Sequence, residues 1–579
     1  MSWKHLPLSA VSKWAISLFF LSVSLAEAKS NALENDVVGA VQKVDELVMK
    51  RWHDLGLNPA PLTTDEEFLR RVFLDTVGTI PPVEHWDPLL TVSGFVASPN
   101  AEKRRLVIEK LLAHPAFINN WVTTWENTIL GRGMGRVNRA SLRSWLWMQL
   151  SQKIPYNKFV ESLITANGTS EENGAVAFFS QFNGKPEDMT NAVAQTFLGV
   201  RVQCCQCHDH KYERDLKQED FWSFAAYFAK TRVRRVRVPG MGQKLEYMVV
   251  RDVGGGSVRM PKRNKDAQIE RVLIDPKYKI FDPAGDPNPK GDGQELRRQL
   301  AQNVTSVDNP FFAKSYANRI WHQLFGRGLV EPFNDFRPSN PPSVPEALDF
   351  LADDFIGHNF DMKRPIRVIL NTKTYQRSSR GPEVDANDNI YFIKARLRPM
   401  TPEQLFSSVV QACQPVDIKQ MNQRGEVERM MQNFRRKFVR NFETEEVAEV
   451  VDFEGSILQA LEMLNGTLIN SNIEATPQRL LGRFVASPTP DVRKLEHLFL
   501  RFLSRYPSAE ERRLFIAPIL QAGQQARKNL GVEFAKLRRK GKRAVLDEQK
   551  IAAVYAPYRQ VYEDLLWAML NSSEFVFNH

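Results

Sequence analysis

Apolar side chains recur along most of this chain at the three-and-four spacing that places them on one face of a helix. Phe68, Leu69, Val72 and Phe73 form one such stripe, and Leu348, Leu351, Ala352 and Phe355 form another. Several stretches begin with a hydroxyl residue followed three positions later by a carboxylate or amide: Thr64 with Glu67, Ser343 with Glu346, Thr401 with Gln404, and Ser508 with Glu511. At that spacing each side chain satisfies a backbone amide that a first helical turn leaves open, so each pair predicts a helix start. A further helix is expected over Ser315–Phe325, with Tyr316, Ile320 and Leu324 on its apolar face and His322 turned toward Asn318 and Arg319.

One region breaks this texture. Between Thr231 and Asp292 the helical spacing gives way to β-branched runs, Val233–Val238 and Leu245–Val250, interrupted by Gly254, Gly255 and Gly256. It closes in a loop rich in Asp, Pro and Gly from Asp282 to Gly293. That loop imitates a calcium-binding count, but Gly293 stands where the twelfth position needs a bidentate Glu, so a solvated connection is expected. The fold class predicted is mainly α, with two helical domains joined by a small β-containing insert and a Pro/Gly/Asp-rich linker. The boundaries expected are a leader over 1–28, a first helical domain over 29–230, the insert and linker over 231–294, and a second helical domain over 295–579. A chain of 579 residues is too long for one ordinary core, which agrees with that division. No fixed-period repeat, Gly-rich phosphate loop or Gly-x-Ser-x-Gly elbow occurs.

The leader carries Lys4 and Lys13 ahead of an apolar run from Trp14 to Leu25, which ends in Ala26-Glu27-Ala28. This is the pattern of a secretory signal cleaved after Ala28. About a dozen apolar residues are too few for a bilayer span, which needs roughly 20. The mature chain is expected to be exported, secreted or periplasmic, with no transmembrane segment. Loss of the leader, which holds two lysines against one glutamate, lowers the net charge only from +11 to +10, so the excess basicity belongs to the mature protein. Basic runs over Lys230–Arg237 and Lys536–Arg543 suit an acidic partner, such as a periplasmic redox protein or an anionic polysaccharide, or else are plain solvated faces. Export argues against nucleic acid.

Four cysteines in a chain of this size do not make a disulfide framework. Three of them, with two of the ten histidines, fall within Val202-Gln203-Cys204-Cys205-Gln206-Cys207-His208-Asp209-His210. Cys204, Cys207 and His208 satisfy C-x-x-C-H, the attachment pattern of c-type haem. Two thiols three residues apart lie on one side of a helical turn, where they can form thioethers, and the adjacent imidazole of His208 can ligate the haem iron from below. Such attachment occurs outside the cytoplasm, so the leader and the pentapeptide agree. A rival set is zinc held by Cys204, Cys207, His208 and His210, although no second C-x-x-C supplies the usual other half of a structural zinc site. A disulfide or packing role is a third reading. Asp209 and His210 are candidates for supporting the ligands, and His322 and Met189 are candidates for a distal ligand. Cys413 is either a buried thiol or a partner for Cys205. The sequence names no catalytic residue and leaves open whether the protein is an enzyme.

The residues around the motif extend the picture. Phe197-Leu198-Gly199, Gln203-Cys204, Gln206-Cys207-His208-Asp209-His210 and Gln218-Glu219-Asp220 stand in one half of the chain. The other half holds Asn309-Pro310-Phe311-Phe312-Ala313, the run Asn318 to Val330, Thr374-Tyr375-Gln376-Arg377-Ser378-Ser379, and the terminal Leu570 to His579. In these segments the chain resembles the planctomycete cytochrome-like two-domain proteins of the PSCyt2/PSD1 type, in which a cytochrome-like domain of unknown function precedes a second uncharacterised domain. The resemblance spans nearly the whole mature chain. It departs at Cys205 for a usual Ala, at Lys211 for a Pro, and at Val344 for a His. The first leaves C-x-x-C-H intact but adds a third thiol, and the last removes a polar candidate from the second domain. The resemblance implies export and a cytochrome-like character but no reaction. The function expected is therefore electron transfer or haem-dependent oxidoreduction, and the alternative is a non-redox polysaccharide-binding or hydrolytic protein whose Cys/His cluster holds a structural metal such as zinc.

Overall fold

Helix α1 (Asp65–Val77) shows how the chain divides its interior. Phe68, Leu69, Val72, Phe73 and Val77 enter one apolar core, Leu74 enters a second, and Glu67, Arg70, Arg71 and Asp75 form a polar row between them. The computed structural model describes residues 35–131, 137–211, 213, 216–238, 245–263, 269–274, 291–381, 388–413, 474–475, 480–539 and 546–579. The leader over 1–28, the loop over 282–290 and the basic residues Lys540, Lys542 and Arg543 lie outside the described residues.

The protein is mainly α. After a helix over 35–54 and α1 come α2 (Lys103–Ala113), α3 (Pro115–Leu130), α4 (Arg139–Ser151), α5 (Tyr156–Ile164), α6 (Pro186–Val193) and α7 (Gln218–Ala225). These are followed by α8 (Gly293–Val304), α9 (Phe312–Phe325), α10 (Pro345–Gly357), α11 (Lys363–Asn371), α12 (Pro402–Cys413), α13 (Asp491–Leu503), α14 (Ala509–Arg539) and α15 (Ala556–Leu570). The expected start signals are realised unevenly. Thr401 with Gln404 and Ser508 with Glu511 form reciprocal boxes, each side chain meeting the other residue's amide at 2.8 to 3.2 Å. Thr64 caps α1 through the Glu67 amide, but the Glu67 carboxylate turns to Arg71, Ser378 and Ser379 instead. The expected cap at Ser343 does not form. Helix α10 starts one residue later, behind Val344, because Pro345 supplies a first helical residue that has no amide to satisfy.

The region expected to be β-containing is so. Strands β2 (Thr231–Val238) and β3 (Leu245–Asp252) pair antiparallel, with Thr231 opposite Asp252 and Val238 opposite Leu245. The two-residue β1 (Gly168–Thr169) pairs with the other edge of β3, so this sheet is stitched into the preceding helices. Strands β4 (Val258–Arg263) and β5 (Ile269–Ile274) form a separate hairpin. The buried Arg297 of α8 ties the first sheet down. Its guanidinium donates to Asp252 and to the carbonyls of Ile164 at 3.0 Å and Ala166 at 2.7 Å.

The first apolar core gathers residues from Ala40 to Ile393, through α1 to α11, together with Leu500 of α13, and the second gathers Met400 to Phe575 with Leu74 and Ile80. Between the two, the polar row of α1 is densely bonded, with only the Arg70 Nε among its side-chain atoms left without a hydrogen bond among the described residues. Asp75 accepts from the Tyr375 hydroxyl at 2.7 Å, from Arg398 at 2.9 Å and from Asn578 at 2.8 Å. Arg70 donates to the carbonyls of Phe502, Glu574 and Phe575 and to the Ser504 hydroxyl, and burial lowers its pKa to about 10. Although burial pushes the Glu67 carboxyl up, Arg71 and the Ser378 and Ser379 donors hold it below its usual value. A short ladder, β6 (Arg398–Pro399) with β7 (Phe577–Asn578), brings the terminal segment to this row. The spacing of Glu67, Arg71 and Asp75, four residues apart, puts all three on one helix face.

Candidate functional site

The Cys/His motif lies between two helical segments that hold it by backbone contacts. Helix α6 runs on into a π-turn, Ala194–Leu198, which Gly199 ends in a left-handed conformation with φ 66°. A Cβ on Gly199 would stand 2.8 Å from Phe336 and 3.0 Å from the Ser315 hydroxyl, so this position needs glycine for space as well as for backbone. The next turn, Gln203–Gln206, is a 3-10 helix that carries Cys204 and Cys205, with Cys207 at its end. Helix α7 then anchors it. The Gln206 carbonyl accepts from the Trp222 indole at 3.0 Å and from the Gln218 amide side chain at 3.3 Å, and Gln218 also donates to the Pro261 carbonyl of β4 at 3.0 Å.

Within this fixed turn the side chains separate by role. Cys204 and Cys207 are exposed, whereas Cys205 is 1% exposed and packs in the first core. Burial pushes the Cys205 thiol up to about 11, so it is a packing group and not a nucleophile. His208 is exposed, and its Nδ1 lies 2.7 Å from the Asp209 carbonyl. A carbonyl only accepts, so Nδ1 carries the proton and Nε2 keeps its lone pair for an incoming electrophile or metal. Asp209 accepts the Gln218 amide at 2.9 Å and faces Lys217 at 3.7 Å. His210 is half-buried and accepts the Glu213 amide on Nδ1 at 3.0 Å, so it braces the loop.

Accessible thiols three residues apart beside an imidazole with a free Nε2 match the donor set that a covalently held haem requires. The structure does not gather the rival zinc set: among the described residues no group of three or more His, Cys, Asp or Glu side chains is arranged to hold a metal ion. Cys205 and Cys413 are not joined in a disulfide and belong to different cores. Met189 is wholly inside the first core, while Cys204, Cys207 and His208 face solvent.

His322 occupies the seam between the two halves of the chain. Its helix is two-sided: besides Tyr316, Ile320 and Leu324, its polar side is also buried. Asn318 donates to the carbonyls of Val330 and Phe333, and Arg319 donates to the Thr196 carbonyl of the π-turn at 2.7 Å. The His322 ring lies 4.3 Å from that of Phe333, with Nδ1 3.4 Å from Glu331. The same seam holds contacts that sequence spacing does not signal. Arg201 donates to Asn334 at 2.9 Å, the Phe336 amide donates to the Gly199 carbonyl at 2.8 Å, and Ser339 donates to the buried Glu213 carboxylate. The loop over 331–340 therefore forms a floor beneath the motif. Of the residues in these last three contacts only Gly199 stood in a segment that drew notice in the sequence; Arg201, Asn334 and Ser339 carry no local pattern.

The basic run of β2 is partly neutralised within its own sheet, since Glu246 on β3 meets Arg237 at 2.7 Å and Arg235 at 3.4 Å. Among the described residues no helix is long and apolar enough to cross a membrane. A family model for PSCyt2, described as a protein of unknown function (DUF1549), matches residues 43–233, and one for PSD1, also described as a protein of unknown function (DUF1553), matches residues 296–518. No curated protein and no solved structure matches the chain. The first match contains the whole Cys/His turn and the second contains the floor it rests on, in that order along the sequence, so the chain belongs to the two-domain PSCyt2/PSD1 type.

Proposed function

We propose that this chain is an exported c-type haem-binding protein that serves electron transfer or haem-dependent oxidoreduction. Cys204 and Cys207 would carry the thioethers, each thiol adding across a vinyl group, and Nε2 of His208 would ligate the iron. The observation that carries the reading is the division of labour in one pentapeptide. Both motif thiols and the imidazole are open to solvent on a turn pinned by Gln218 and Trp222, while the third thiol is turned into the core. The hydrogen bond from His208 to the Asp209 carbonyl presents the nitrogen a proximal ligand uses. When bound, the haem supplies one-electron chemistry. Asp209 and His210 hold the loop, and the seam residues Arg201 and Glu213 keep its floor in place. Export, with cleavage after Ala28, puts the thiols where covalent attachment takes place.

The test is to express the full chain with its leader in a host that has a cytochrome c maturation system, and to record an absorption spectrum and a haem-stained denaturing gel. A Soret band with stain that survives denaturation is expected, and Cys204→Ser with Cys207→Ser should abolish the stain. Intact mass showing two unmodified thiols in correctly exported material would overturn the reading. A colourless protein with one zinc per chain would favour the structural-metal alternative.

A further inference from the structure

The sheet formed by β1, β3 and β2 divides its charge unevenly between its two faces. Residues opposite one another in an antiparallel pair point the same way, and successive residues alternate, so the register of β2 on β3 sorts every side chain. Val233 and Val250 stand opposite each other and pack on the first core, which makes theirs the inner face. Both carboxylates of the two strands belong to it. Asp252, opposite Thr231, is held by the buried Arg297, and Glu246, opposite Arg237, pairs with Arg237 and Arg235. The outer face is left with Arg232, Arg234 and Val236 of β2 against Arg251, Val249 and Tyr247 of β3, and neither strand gives it an acid.

Arg232 lies directly opposite Arg251, and Arg234 lies on the diagonal from it, a position about 7–8 Å away in such a ladder. Like charges placed directly opposite destabilise a sheet. Arg232 bends back to its own chain, donating to the Ala229 carbonyl at 2.8 Å and the Thr231 carbonyl at 3.0 Å. Arg234 and Arg251 are exposed and make no hydrogen bond or ion pair among the described residues. Glu172, just past β1, accepts the Thr169 hydroxyl at 2.9 Å and pairs with neither arginine among the described residues. Charge on an edge strand wards off unwanted pairing, which accounts for the arginines of β2. It does not account for Arg251, because β3 is the middle strand. A Cβ on Gly254 or Gly255, immediately after β3, would meet nothing within 4 Å, so the approach at that end is open.

We propose that this outer face binds an acidic polysaccharide of the polyuronate class. A guanidinium presents paired donors that match a carboxylate, and Arg234 and Arg251 answer two acids carried along one extended chain. The half-buried ring of Tyr247, on the diagonal from Arg234, supplies a flat surface for a sugar ring between them. A membrane or a protein partner fits less well, because none of the apolar side chains of this face is exposed to enter headgroups or to form an interface core. Nucleic acid is set aside by export, the one part of the function proposed above that this inference uses. The face shares no residue with the Cys/His turn, and its readout does not involve haem, so the two readings fail separately.

Hexagalacturonate, with cellohexaose as the neutral control, tests it by titration calorimetry on the full exported chain. Saturable binding of the uronate and none of the neutral sugar is expected. Arg234→Gln and Arg251→Gln should each weaken it about threefold, and together about tenfold, as exposed ion pairs do. Arg237→Gln, on the inner face of the same strand, should leave it unchanged, and circular dichroism should show all of these variants folded. Equal binding of the two sugars, absence of saturable uronate binding, or a loss at Arg237 as large as at Arg234 and Arg251 would each overturn the proposal. So would retention on phosphatidylglycerol vesicles through Arg234 and Arg251 by a chain that ignores the uronate.

Discussion

The polar row of α1 and the Cys/His turn are both dense in chemically capable side chains, yet they stand at opposite limits of internal satisfaction. In the row, Asp75 alone accepts from Tyr375, Arg398 and Asn578, and Arg70 donates to four acceptors. Among the described residues only the Arg70 Nε of that row lacks a hydrogen bond, and it is buried. In the turn, the backbone is satisfied while the Cys204 and Cys207 thiols and the His208 ring stay open. Charge and burial alone would select the row as the reactive place, but its groups are already neutralised by one another. A functional site is marked by what its neighbours leave unused on a rigid support.

The comparison breaks most readily at Asp75. Asp75→Ala strands Arg398 and the Tyr375 hydroxyl in the interior, and chemical denaturation should show a loss of about 3 to 5 kcal/mol. A loss under about 1 kcal/mol would mean that the row is not the joint between the two cores. Acid should act through the same region. Burial, with Arg70 adding to it, holds the His579 imidazole down to about 4, against about 6.5 in an unfolded chain. Between those values the unfolded chain takes up a proton that the folded one refuses, so stability is complete above about pH 6.5 and falls as the pH drops toward 4, by up to roughly 3 kcal/mol. His579→Gln should flatten that slope in denaturation curves recorded across this window.

Smaller effects sharpen the other side of the comparison. Gly199→Ala forces a Cβ against Phe336 at a left-handed position, and thermal unfolding should report a loss of about 2 kcal/mol. Cys205→Ala removes a core sulfur and should cost about 1 kcal/mol. Cys204→Ala and Cys207→Ala, at exposed positions in the same turn, should each change the stability of the haem-free chain by less than about 0.5 kcal/mol. If the exposed pair proved as costly as Cys205, the turn would be architecture and the contrast with the α1 row would vanish.

Much of the molecule could be read in advance where the signal is local. The stripes of α1 and α10 are buried as their spacing requires, and the helix expected over Ser315–Phe325 is present as Phe312–Phe325. The β-branched runs over Val233–Val238 and Leu245–Val250 are strands because alternation and neighbouring glycines are local as well. The start at Ser343 was misread because Pro345 makes the side-chain cap unnecessary. The spacing set His322 toward Asn318 and Arg319 but could not name what meets them: Arg319 reaches the Thr196 carbonyl, more than a hundred residues away.

The sequence by itself determined the helical class, the β-textured interruption, the two-part family pattern and the C-x-x-C-H run, since each depends on residues within a few turns of one another. Tertiary structure alone decided which of three neighbouring thiols faces solvent, which nitrogen of His208 is left free, and which carboxylates are used up inside. Those outcomes depend on Gln218, Trp222, Tyr375 and Arg398 arriving from other elements, and no spacing along the chain encodes an arrival of that kind.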